Sequence, residues 1–211
     1  MRDATQTFLS YIASEHARHD HQHDPWTLAH DLGIRVIVGK QNRGSAGPPA
    51  VITLARDTSK PRQRYTLHHE ISHVLMQRAG LETDILAEVD EEDSEDHLER
   101  VTDHAASLLL MPAPMVEQLV QQHGHAPVLI PELARVAQAS LAAAMRRYVY
   151  ADADAHRAAF VTSGSYIADA ASCNYWLPFW LYDRVPEVAL AYPEVAALSL
   201  GTGKMLGVVS W

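Results

Sequence analysis

The chain has 211 residues, 47% of them hydrophobic and 20% charged, the profile of a soluble globular protein able to bury a core. Its formal net charge of -9 argues against a protein that grips nucleic acid through a broad basic surface, and Cys173, the only cysteine, leaves no internal disulfide to form. No apolar run reaches the ~18–20 residues of a membrane helix, and the start MRDATQTFLSYIASEHARHD carries early acids unlike a secretory signal, so a cytoplasmic protein is expected.

Residues 3–18 predict a short amphipathic helix, with Phe8, Leu9, Ile12 and Ala13 at helical spacing. Five histidines fall between His16 and His30, and that cluster reads as a solvated helix end and loop. Asp24 and Pro25 then supply a cap and a first-turn proline for a second helix ending at Gly33. IRVIVG and AVITLA read as strands, and KQNRGSAGPP between them as a loop. A helix follows from about Tyr65 to Arg78, stopped by Gly80.

The acidic stretch LETDILAEVDEEDSEDHLE is expected to be mostly solvated loop, because blocks of like charge repel and stay hydrated. HLERVTDHAASLLLMP reads as a further long helix running to Pro112. Residues 114–123 and 131–150 add helices, and from Ala151 short alternating segments predict a small β-rich tail. GTGK at 201–204 reads as a turn between two strands, not as a phosphate loop. CNYWLPFWLY, at 173–182, reads as core first and as a dimer or substrate contact second.

The chemistry concentrates in RYTLHHEISHVLM, residues 64–76. Residues four apart on a helix stand one above the other, so His69 and His73 can converge on one cation, whereas His68 points about 100° away and is set aside. Glu70 directly follows the first of them, as in the H-E-x-x-H pattern of zinc peptidases, where the carboxylate takes a proton from the attacking water and delivers it to the leaving amine. A catalytic site needs a third protein ligand. Glu88, Glu91, Glu92, Asp93, Glu95, Asp96 and Glu99 are all candidates. Glu99 differs by opening the apolar helix, with Asp103 on the same face to hydrogen-bond a ligand histidine; the competing reading makes both ordinary acids of a helix N-terminus.

These two blocks resemble the ImmA/IrrE metallopeptidases, a gluzincin-like family whose core reads approximately R-[FY]-T-[LI]-A-H-E-[LI]-[SG]-H and then E-x-x-A-[ND]-x-F-A-x-x-L-L-M-P. Here they are RYTLHHEISH and ERVTDHAASLLLMP, with His68, Thr102 and Ala105 as departures, and LAHDLGIRVIV resembles the family's entry segment. The resemblance covers roughly residues 24–112 and implies His69, His73 and Glu99 as metal ligands, Glu70 as catalytic base and Asp103 behind a ligand. It implies a Zn²⁺ cofactor, with Mn²⁺ or another divalent metal as the other choice.

The expected fold is α+β: a zincin-like core at 1–112 with a small sheet, the HExxH helix and the Glu-bearing helix, then a helical segment at 113–150 and a β-rich region at 151–211. Members of the family cleave helix-turn-helix repressors in stress or mobile-element responses, so the expected function is a metallo-endopeptidase with such a repressor as substrate. The alternative is a non-catalytic regulatory protein with a structural or vestigial metal site. IPELARVAQASLAAAMRRYV has the look of a helix-turn-helix, but Arg135, Arg146 and Arg147 are its only strong cations, and a helical buttress is the preferred reading. Neither membrane association nor direct nucleic-acid binding is expected; a homodimer is an open option.

Overall fold

In a computed structural model, residues 3–56, 60–185 and 194–210 are described, and the chain divides into two compact units, Met1–Pro112 and Ala113–Trp211. The architecture is mixed α+β, with eight α-helices and two small sheets among the described residues.

In the first unit, α1 (Asp3–Arg18) and α2 (Pro25–Asp31) precede β1 (Arg35–Gly39). Asp24 caps α2 by accepting from the Thr27 backbone N–H, and Gly33 leaves the helix at φ +66°. The stretch expected as a loop contains a short strand, β2 (Arg43–Ser45), ahead of β3 (Val51–Ala55). β3 is the centre of the sheet, parallel to β1 and antiparallel to β2, which is left at an edge. Three polar or small residues carry no alternating pattern, so β2 exists through its pairing with β3 and through Gln77 Oε1, which accepts from the Ala46 N–H at 2.9 Å.

The motif helix α3 (Lys60–Ala79) begins earlier than its apolar pattern indicates and ends at Gly80, φ +68°. The acidic stretch is more ordered than expected: α4 (Glu82–Leu86) and a 3₁₀ turn at 91–93 lead into α5 (Ser94–Leu110). Glu88 accepts hydrogen bonds from the Thr5 N–H and hydroxyl and pairs with His97 at 3.1 Å. Burial raises its pKa, but those bonds prevail and hold it down at about 2.

Leu67, Ile71, Val74 and Leu75 of α3 pack with Val101, Ala105 and Leu109 of α5, with Phe8 and Ile12 of α1, and with Ile52 and Leu54 of β3. Two of the three departures from the family pattern fit this core: Ala105 is fully buried, and buried Thr102 gives its hydroxyl proton to the Leu98 carbonyl at 2.9 Å. His16 corrects the expectation of a wholly solvated histidine cluster. It is 3% exposed, and its Nε2–H donates to the Gln22 carbonyl at 2.9 Å.

The second unit holds α6 (Ala113–His123), α7 (Leu129–Ala137) and α8 (Leu141–Val149), then an antiparallel sheet of β4 (Arg157–Ser163), β5 (Tyr166–Cys173), β6 (Ala196–Gly201) and β7 (Lys204–Ser210) in the order β5-β4-β7-β6. GTGK forms the β6–β7 turn, with Gly201, Thr202 and Gly203 all at positive φ. Phe160 and Phe179 meet edge-on at 4.8 Å in the core of this unit. The rest of the aromatic segment lies mostly at the surface rather than in the core: Trp176 and Trp180 are each 78% exposed, while Leu177 is partly buried against the Phe179 cluster.

Candidate active site

α3 turns its apolar face to the core and leaves His69 and His73 half-buried on its flank, one helical turn apart. α5 lies against α3, and its buried stripe of Val101, Thr102, Ala105 and Ala106 leaves Glu99 and Asp103 beside those histidines. The fold therefore brings Glu99 across to the motif. His69 Nε2 and His73 Nε2 are 3.1 Å apart; Glu99 reaches His69 Nε2 at 3.3 Å and His73 Nε2 at 3.4 Å.

This triangle fits a metal. Two ligands each about 2.05 Å from one ion, at the tetrahedral angle, stand about 3.3 Å apart. The two imidazole nitrogens stand near that spacing, Glu99 Oε2 comes as close to His69 and Oε1 to His73, and one ligand atom from each residue lies within 4.8 Å of the others. Among the described residues these three are the group so arranged.

Asp103 Oδ1 accepts from His69 Nδ1–H at 2.8 Å and from the Tyr65 hydroxyl at 2.9 Å. With its proton on Nδ1, His69 turns the lone pair of Nε2 toward the triangle. Burial works against a charge on His69, but Asp103 and then Glu99 outweigh it and raise its pKa. Burial and then the charge on His69 hold His73 down. The His69 hydrogen bond, against some burial, lowers Asp103. Burial, followed by the Asp103 carboxylate, raises Tyr65, which stays a neutral phenol.

Glu70 points away from the core toward β2 and is 7% exposed; burial raises its pKa, opposed by His69 and the Gly44 backbone amide. A carboxylate so placed exchanges a proton more readily near neutrality than an exposed one. The cavity at this place, about 350 Å³, is lined by Asn42, Arg43, Gly44, His69, Glu70, His73, Gln77 and Glu99.

His68 stands apart. It is fully buried, donates from Nδ1–H to the Arg64 carbonyl at 3.0 Å, and its pKa is pushed down by burial to about 3. Sequence reasoning missed the β2 wall of the cavity and the tie between Tyr65 and Asp103, to which the Tyr65 hydroxyl gives its proton.

Residues 20–148 match the family model for the IrrE N-terminal-like domain, peptidase M78. The chain belongs to the IrrE-like M78 peptidase family. The radiation response metalloprotease IrrE of Deinococcus deserti is 36% identical over 110 residues, covering 50% of this chain and 38% of that protein. Its counterpart in Deinococcus radiodurans is 32% identical over 104 residues, covering 48% of this chain and 32% of the other. This M78 chain thus spans well under half the length of those relatives. A Mycobacterium tuberculosis transcriptional regulator shares its fold, with a TM-score of 0.59 over 96% of this chain and 75% of that one, at 12% identity. The family and these Deinococcus relatives are metalloproteases by name, which makes a divalent metal and a protein substrate the family's expectation. No described helix is long and apolar enough to cross a membrane.

Proposed function

We propose that the chain is a zinc-dependent endopeptidase that cleaves a helix-turn-helix transcriptional repressor in the cytoplasm, with residues 1–112 carrying the chemistry. The observation that carries the reading is the convergence of His69, His73 and Glu99, with one ligand atom from each within 4.8 Å of the others and a buried carboxylate next to them. Two imidazoles and a carboxylate suit Zn²⁺ best, with Mn²⁺ as the other divalent choice. When bound, such a cation polarises a peptide carbonyl and acidifies water.

The chain's own residues do the rest. Asp103 and Tyr65 fix the His69 ring. Glu70, its proton affinity raised by burial, accepts the proton of the attacking water and passes it to the departing amine nitrogen. β2, an edge strand bordering the cavity, gives an extended substrate a backbone to lie along.

The choice of a repressor as substrate rests on the family resemblance. The helical pair α7–α8 is better suited to supporting structure than to reading DNA: Arg135 pairs with Glu132, Arg146 is held by both oxygens of Asp169, and Arg147 is buried. The test is to incubate the zinc-loaded protein with helix-turn-helix repressors from its own genome, any encoded beside its gene first, and to follow fragments by mass spectrometry. Wild type is expected to cut at a defined bond, and Glu70→Gln to keep zinc and leave the repressor whole. Relief of repression that survives in Glu70→Gln contradicts the proposal and favours a non-catalytic regulator.

A further inference from the structure

β2 has three residues, and its middle one is a glycine set against the helix that carries Glu70. A Cβ built on Gly44 would lie 2.8 Å from the Glu70 backbone oxygen, 3.1 Å from Val74 Cγ2 and 3.3 Å from Glu70 Oε2. The nearest of these atoms is helix backbone, which no rotamer change can move aside. Gly44 is not among the residues at positive φ, so backbone freedom does not account for a glycine here. What the position requires is the missing side chain. The Gly44 amide also faces the Glu70 carboxylate as a donor, and Gln77 ties the end of the strand to the same helix through Ala46.

We propose that Gly44 is a positioning residue for Glu70: its bare Cα seats β2 on the turn of α3 that bears Glu70, and so sets where that carboxylate stands relative to His69, His73 and Glu99. The role given to Glu70 rests on the peptidase reading above; the seating of β2 rests on packing alone. Gly44→Ala retains the amide but pushes the strand off the helix. A displacement near 1 Å at a reacting group can cost about a hundredfold in rate.

The test needs no substrate. Wild type, Glu70→Gln, Gly44→Ala, Gln77→Ala and the double variant Gly44→Ala/Glu70→Gln are loaded with Co²⁺, and their visible d–d spectra and Co²⁺ affinities are compared. Glu70→Gln and Gly44→Ala are each expected to change the spectrum, with affinity within about threefold of wild type, short of the 10–100-fold loss that follows removal of a group supporting a ligand. Gln77→Ala should change it in the same direction and less, and the double variant should match Glu70→Gln. A Gly44→Ala spectrum that superimposes on wild type, while that of Glu70→Gln does not, overturns the inference and leaves the peptidase reading standing. An unchanged spectrum in Glu70→Gln itself overturns both. If circular dichroism shows Gly44→Ala unfolded, Gln77→Ala decides: a wild-type spectrum there overturns the inference.

Discussion

Replacing Asp103 with alanine should weaken metal binding without removing a ligand. Asp103 Oδ1 is the acceptor for both His69 Nδ1–H, at 2.8 Å, and the Tyr65 hydroxyl, at 2.9 Å. Without it, His69 loses the partner that keeps its proton on Nδ1 and its Nε2 lone pair directed at Glu99 and His73. Groups that support a metal ligand in this way are worth about 10–100-fold in affinity, or about 1.4–2.7 kcal/mol. The Asp103 side chain is 54% exposed, so water replaces part of what is lost, and about tenfold is expected. Asp103→Asn retains an acceptor without the charge and should fall between wild type and Asp103→Ala. Tyr65→Phe removes one of the two donors to Asp103 and should cost less still. The assay is competition for Zn²⁺ against a chromophoric chelator at pH 7.5. Affinity in Asp103→Ala equal to wild type, or a larger loss in Tyr65→Phe than in Asp103→Ala, would refute the reasoning.

Three further outcomes are expected. Glu99→Ala deletes a donor and should weaken Zn²⁺ by more than Asp103→Ala does, roughly a hundredfold or more, by the same competition assay. The apo protein should lose stability on acidification through His16, whose folded pKa is held at about 4 by burial. A base with a depressed folded pKa binds more protons when unfolded, so this contribution is whole above about pH 6.5, falls as pH drops toward 4, and reaches at most ~3 kcal/mol. Urea unfolding across that range should show a flatter slope in His16→Leu. In the second unit, a Cβ on Gly207 would lie 2.4 Å from Phe160 Cζ, so Gly207→Ala should cost about 1–3 kcal/mol by thermal unfolding, and Phe160→Leu in the same chain should restore part of it.

The grouping of these side chains was legible because helical spacing is written in the sequence. His69 and His73 repeat at a helix turn, and Glu99 and Asp103 do the same beside an apolar stripe that turns toward α3. Asp24 and Pro25 announced α2 for an equally local reason. β2 was not legible, since RGS has no alternation and becomes a strand only through its pairing with β3 and through Gln77, which lies 31 residues beyond Ala46. Nor was the burial of Glu88, which sits in a run of acids and owes its place to Thr5 and His97. In the aromatic segment, Phe179 and Trp180 are neighbours with opposite fates, inward and outward, and composition does not separate them.

The central claim is that His69, His73 and Glu99 together hold one divalent cation. X-ray absorption at the zinc K-edge, on protein loaded with one equivalent of Zn²⁺, tests it most directly. Two imidazole nitrogens at about 2.0–2.1 Å are expected, with the remaining positions oxygen, and one imidazole should be lost in His73→Ala. A spectrum with one imidazole or none in the wild type, or one unchanged by His73→Ala, would contradict it.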